Sequence, residues 1–166
     1  IRSTGLLLAT KLSGGDIEKA LPAAAAIELI HNFSLLHDDI EDQSDSRRNR
    51  PTLWTVVDQA QAINTGDGMF ILGRNALLRL DRHGISIQNI LEATKRLDEA
   101  CISLVRGQYL DITFETRDDV SIDEYIQMAL GKTAAMFAAP LSIGAVIADA
   151  NSPTIDSLHR AGPVSY

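Results

Sequence analysis

Residues 37–52 read His-Asp-Asp-Ile-Glu-Asp-Gln-Ser-Asp-Ser-Arg-Arg-Asn-Arg-Pro-Thr, an acidic cluster followed closely by an arginine pair. Asp38 and Asp42 stand four residues apart, so on a helix they share one face, with Asp39 about a quarter-turn away. Carboxylates pressed together repel unless a cation lies between them. Magnesium suits that place. It takes oxygen ligands, keeps several of its waters, and is usually held by one or two carboxylates together with substrate phosphates. Arg47 and Arg48 then offer forked donors for phosphate oxygens, enough for two different diphosphates. Residue types and spacing together describe a site for diphosphate carried on magnesium.

Aspartates spaced in this way are common on solvated helix faces, but three features set this cluster apart. Ile27, Ile30, Phe33 and Leu36 recur at three-residue spacing before it, so the helix is core-packed up to that point. A loop rich in arginine follows it. His31 lies seven residues before Asp38, two turns back on nearly the same face. Further along, Gly107-Gln108-x-x-Asp111 places an amide and a carboxylate on adjacent turns at the end of an apolar stretch. Gly131-Lys132-Thr133 is like the end of a phosphate-binding loop. The earlier glycine of that motif is replaced by Ile126 and no strand precedes it, so Lys132 reads instead as a single cation reaching the same cavity.

The elements that must position these groups are helical. Ala, Leu, Ile and Glu dominate at helical spacing and strand signals are nearly absent. Helices are expected over 6–13, 23–41 with Pro22 at its start, 55–65, 69–80, 87–110, 125–131, 132–148 and 155–161. Ile17–Ala20 reads as a short segment, Gly66-Asp67-Gly68 as a lead-in to 69–80, and 43–51 as a polar loop. In the long helix from Ile87, the apolar stripe reads Leu91, Leu97, Cys101, Leu104 and Val105. Ser121-Ile-Asp-Glu carries a capping-box pattern. No repeat, linker or low-complexity tract interrupts the chain.

The 166 residues are 45% apolar, enough for one domain with a core. A net charge of −7 supplies no basic field and excludes a nucleic-acid binder. The single cysteine, Cys101, excludes an internal disulfide, reads as a core residue and suits a cytoplasmic setting. No basic region precedes the apolar run at Leu6, so no signal peptide is expected. The uncharged run Thr133–Ala148 is shorter than the roughly 20 residues that span a bilayer, so no stable membrane span is expected.

In combination these motifs resemble the trans-isoprenyl diphosphate synthases, the polyprenyl synthetase family. Glu28–Asp42 resembles the family's first aspartate-rich motif and its lead-in helix, and Arg47-Arg48-Asn49-Arg50-Pro51-Thr52 the Arg-Arg-Gly-x-Pro-Thr that follows. Asn49 stands where the family has glycine; asparagine tolerates left-handed backbone better than most residues. Gly66-Asp-Gly, Gly107-Gln-x-x-Asp and Gly131-Lys-Thr fall in the family's order. The resemblance implies an all-α, isoprenoid-synthase-type bundle around a central cavity, usually homodimeric. It also implies magnesium-dependent condensation of isopentenyl diphosphate with an allylic diphosphate.

By the same resemblance, Asp38 and Asp42 bind magnesium, Asp39 supports the cluster, and Asp111 stands just behind the metal. Arg47 and Lys132 hold the allylic diphosphate, with Thr133 nearby; Gln108 lends its dipole to the allylic cation. Arg48, His31 and Arg2 hold isopentenyl diphosphate, Arg2 matching the last position of Gly-Gly-Lys-x-x-Arg, whose first part is missing. The family's second aspartate-rich motif is also missing: no such string follows Lys132, and Arg117-Asp118-Asp119 lies too early. Ala161–Tyr166 resembles the stretch before the helix that bears it. Residues 1–166 thus read as one synthetase domain cut at both ends. In the family, an aromatic five residues before the first aspartate, here Phe33, with a small residue beside it, here Ser34, suggests a geranylgeranyl product, with farnesyl next. Two other readings stay open: a class I terpene cyclase, which has no use for a second diphosphate site, and a non-catalytic partner subunit of a prenyl synthase.

Overall fold

A computed structural model describes residues 1–162; residues 163–166, the end of the stretch read as preceding a further helix, lie outside the described residues. The chain is an all-α bundle. Its helices are α1 (Arg2–Leu12), α2 (Ile17–Glu41), α3 (Leu53–Val57), α4 (Gln59–Leu78), α5 (Ile87–Phe114), α6 (Ile122–Ala129), α7 (Ala135–Ile147) and α8 (Ser152–Ala161). A 3-10 turn, Arg79–His83, follows α4, and a π turn, Leu130–Ala134, joins α6 to α7.

α2 is central. It packs on α4 and α1, while α7 packs on α1 and α5. α2 buries small residues, Ala20, Ala23 and Ala26, beside Ile27 and Ile30, which lets neighbouring helices approach closely. Each fully buried isoleucine contributes roughly 1.5–3 kcal/mol. Asp16 caps α2 by accepting from the Glu18 amide at 3.0 Å. The predicted capping box at Ser121 is formed in both directions.

Several boundaries differ from the sequence-based expectations. α1 starts at Arg2 rather than Leu6. α2 runs unbroken through Pro22, whose missing N–H falls in the second turn and whose neighbours Ala20, Ala23 and Ala24 are buried against the core. α4 runs through Gly66 and Gly68; the chain breaks instead at Asp58, whose φ is +90°. Gly66 is there for packing, since a Cβ on it would strike the His37 ring. α5 extends to Phe114, and its buried stripe is Ile90, Ala93, Leu97, Ala100 and Gly107. Leu91 and Val105, expected on that stripe, are 63% and 58% exposed. The helical stretch Ile122–Ile147 spans 26 residues, long and apolar enough to cross a membrane, but 61% of its most apolar window is buried inside the bundle. It is the core helix.

Candidate active site

The loop after α2 is a hairpin, β1 (Ser46–Arg47) and β2 (Arg50–Pro51), with Arg47 opposite Arg50. Its two central residues, Arg48 and Asn49, have φ of +52° and +61°, the left-handed pair of a type I′ turn. Thr52 Oγ1 and Trp54 Nε1 both donate to the Ser44 carbonyl at 2.7 Å, tying the hairpin base to the end of α2.

That geometry folds Arg47 back onto the aspartates. Its Nη2 donates to Asp38 Oδ2 at 2.7 Å and its Nε to Asp39 Oδ1 at 2.6 Å. From the other side, Lys132 Nζ lies 2.5 Å from Asp111 Oδ2 and 3.1 Å from Asp38 Oδ1. Burial pulls the Lys132 pKa down, but the hydrogen bond to Asp111 and the negative charges of Asp38 and Asp111 outweigh it, and the ammonium is held above its ordinary value. Asp42 caps the end of α2. Partial burial of its carboxyl raises its pKa, and the negative charges of Asp38, Asp111 and Glu115 raise it further.

Two cavities meet near this network. The larger, about 380 Å³, is lined on its polar side by Asp38, Glu41, Gln108, Lys132 and Thr133. Its apolar side carries Phe33, Leu104, Ile112 and Met136, with Ser34 between. Phe33 stands five residues before Asp38 on α2, roughly 7.5 Å deeper along the axis. It meets Phe70 and His37 edge-on, at centroid distances of 5.2 and 5.0 Å. The second cavity, about 300 Å³, is lined by Arg2, Glu28, His31, Asn32 and Arg48.

The site residues expected from sequence fall into three groups. Asp38, Asp39, Arg47, Lys132 and Asp111 form one ion-pair network, with Asp42 beside it. Arg2, His31 and Arg48 share the second cavity. Phe33, Ser34, Gln108 and Thr133 line the first. Arg47 is not in the cavity wall: it backs Asp38 and Asp39 from the hairpin. Asp39 is nearly buried, its side chain 6% exposed, and its partner is Arg47. Sequence reasoning missed Glu41, which accepts from Gln108 Nε2 at 2.8 Å, and His37 and Phe70, which wall in Phe33. Glu41 lies three residues after Asp38, so helical spacing alone could have found it.

Among the described residues no three carboxylate, histidine or cysteine side chains converge into a ready-made metal cage. The donor set still fits magnesium, which needs only one or two carboxylates and takes the rest from waters and phosphate. Asp38, Asp111 and Glu115 lie near enough to Asp42 for their negative charges to raise its pKa, against which the Lys132 charge acts.

A sequence model described as Polyprenyl synthetase matches residues 1–163. The chain belongs to the polyprenyl synthetase family. It is 41% identical over 162 residues to a (2E,6E)-farnesyl diphosphate synthase of Mycobacterium bovis, covering 98% of this chain and 44% of that one. It is 38% identical over 161 residues to a geranylgeranyl diphosphate synthase of Mycobacterium tuberculosis, covering 97% and 45%. Among solved structures, a geranylgeranyl pyrophosphate synthetase from the archaeon Geoglobus acetivorans superposes with a TM-score of 0.94 at 34% identity, covering 99% of this chain and 53% of that one. A polyprenyl synthetase from Streptomyces coelicolor gives 0.90 at 42% identity, covering 98% and 46%. This polyprenyl synthetase chain thus spans about half the length of the relatives it matches. The isoprenoid-synthase-type bundle expected from sequence is the fold observed.

The pair between the cavities gives this synthetase a pH signature. Arg2 Nη1 donates to His31 Nε2 at 2.9 Å, so the imidazole must be neutral and acceptor there. Burial first, and then the Arg2 charge, pushes His31 from 6.5 down to about 4. Between those values the unfolded chain takes a proton that the folded chain refuses. The stability contribution is therefore complete above pH 6.5 and is lost as pH falls toward 4. The urea midpoint should drop over that window, and drop less in His31→Gln. An equal drop in both proteins would contradict the assignment.

Proposed function

We propose that the chain carries the substrate site of a magnesium-dependent trans-prenyl diphosphate synthase, which condenses isopentenyl diphosphate with an allylic diphosphate. The observation that supports it is that Asp38 and Lys132, paired with each other and backed by Arg47, stand in the wall of a cavity whose other side is apolar. Asp38 and Asp42 would hold magnesium, with Asp39 steadying the cluster through Arg47 and Asp111 steadying Lys132 from behind. Magnesium supplies neutralisation of the charge that develops on the departing diphosphate. Lys132 and Thr133 orient the allylic diphosphate, and Arg47 joins them by exchanging carboxylate for phosphate oxygens. Gln108, tethered to Glu41, turns its amide dipole into the cavity toward the allylic cation. Arg2, His31 and Arg48 receive the isopentenyl diphosphate in the second cavity. The apolar wall excludes water from the cation.

The reading extends to the assembly. A second aspartate-rich motif is assigned to a segment outside this chain, which makes residues 1–166 one part of the synthetase domain. A homodimer fits the apolar residues that α4 and α5 present outward, Ile71, Leu72, Leu91 and Ile102, each 53–63% exposed. The burial of the apolar core helix fits a protein that this helix does not anchor in a membrane.

Elongation with labelled isopentenyl diphosphate, farnesyl diphosphate and magnesium tests the reading. A twenty-carbon diphosphate that disappears with Asp38→Asn supports it. Ionisation of the allylic substrate with no consumption of isopentenyl diphosphate would favour a terpene cyclase. Absence of both, with stimulation of a larger co-purifying homologue, would favour a partner subunit. Phe33 sets a further outcome. Its ring, braced by Phe70 and His37, closes the path of a growing tail, and Ser34 leaves room beside it. Phe33→Ala is expected to lengthen the product of the complete synthase beyond twenty carbons, and unchanged chromatographic length would sink that role.

A further inference from the structure

We infer that Gly107 is a positioning residue for the Lys132 ammonium, acting through the backbone of the π turn. The inference rests on the diphosphate reading above and deepens it. Gly107 lies buried in α5 against the turn Leu130–Ala134. A Cβ placed on it would collide with the Lys132 amide nitrogen and stand 2.7 Å from both Gly131 C and Lys132 Cα. All three are main-chain atoms, so no side-chain rotation relieves the overlap. A Cβ on Gly131 would in turn stand 3.0 Å from the Ser103 carbonyl oxygen and 3.3 Å from Gly107 Cα. The two glycines let the helix backbones touch where any other pair would hold them apart.

That contact fixes one end of Lys132, and α5 also fixes the other. Asp111, one turn beyond Gly107 on the same helix, takes the ammonium at 2.5 Å. The π turn sets the main chain between these two grips: the Ala135 amide bonds back to the Leu130 carbonyl, widening the helix at Lys132. Any side chain at 107 must push the turn off α5, carrying Lys132 Cα away while Asp111 and Asp38 stay on their own helices. A displacement of about 1 Å at a positioned group costs on the order of 10²-fold in rate. Gly107 lines neither of the two cavities itself. Its effect on a ligand has to pass through Lys132.

A double-mutant cycle reads this out. Inorganic pyrophosphate with magnesium is titrated calorimetrically into the chain as wild type, Lys132→Met, Gly107→Ala and the double variant, with helicity checked by circular dichroism. Lys132→Met is expected to weaken binding roughly tenfold or more, the value of one charge-assisted hydrogen bond, and Gly107→Ala to weaken it comparably. The double variant should bind no worse than Lys132→Met alone. Wild-type affinity in Gly107→Ala, or losses that multiply in the double variant, would overturn the inference while leaving the diphosphate site intact. Unchanged affinity in Lys132→Met would overturn the diphosphate reading and this inference with it. If Gly107→Ala does not fold, Gly131→Ala carries the same cycle. Its Cβ needs only a few tenths of an ångström from Ser103, so its loss is smaller and again absent in the Lys132→Met background.

Discussion

Asp38→Asn is expected to abolish magnesium-dependent diphosphate binding and to lower prenyl transfer in the complete synthase by about 10²–10³-fold, the scale of losing one preorganised electrostatic contact or more. Both oxygens of Asp38 are engaged: Oδ2 by Arg47 at 2.7 Å and Oδ1 by Lys132 at 3.1 Å. The side chain is only 17% exposed, so these contacts are poorly screened by water. Asparagine keeps the shape. It removes the charge that holds both cations in place, and it leaves one oxygen where there were two. Calorimetry and kcat/KM read the two losses separately. Asp45→Asn, at an exposed position beyond the helix, should match wild type in both. Full activity in Asp38→Asn would remove this residue from the site.

Arg47→Met is expected to lower stability by roughly 2–4 kcal/mol. Removing one partner of a buried ion pair typically costs about 3–5 kcal/mol because the other charge is stranded. The lower figure applies because the Arg47 side chain is 36% exposed, although Asp39 is only 6% exposed. The loss comes from Asp39, so Asp39→Asn should restore much of it in the Arg47→Met background. Urea unfolding of the four proteins settles the matter. Purely additive losses would show that the guanidinium does not serve Asp39. Diphosphate affinity should fall in both Arg47 variants, since neutralising Asp39 repairs the fold but replaces no phosphate contact.

Much of this architecture was legible because its signals are local. The Ser121 capping box and the left-handed tolerance of Asn49 each act within a few residues, and each is present in the structure. Gly66 was misread as a boundary because a glycine that ends a helix and one that admits a partner's ring look alike in sequence; His37 decides between them, and it is 29 residues away. The stripe of α5 was misplaced because a 28-residue amphipathic helix offers apolar residues on two faces, and only packing shows that Leu91 faces outward. The acidic motif announced itself, yet the arrangement of its cationic partners did not. The closure of Arg47 and Lys132 over Asp38 depends on a hairpin and a π turn whose positions are tertiary facts.

The most direct test is calorimetric titration of this chain with farnesyl thiodiphosphate, a non-ionising allylic analogue, with and without magnesium. Tight binding that requires the metal and disappears in Asp38→Asn is the expected result, because the cluster at the cavity needs both charges to hold a diphosphate. Binding that ignores magnesium, or that survives Asp38→Asn undiminished, would contradict the assignment of this cavity to a magnesium-borne prenyl diphosphate.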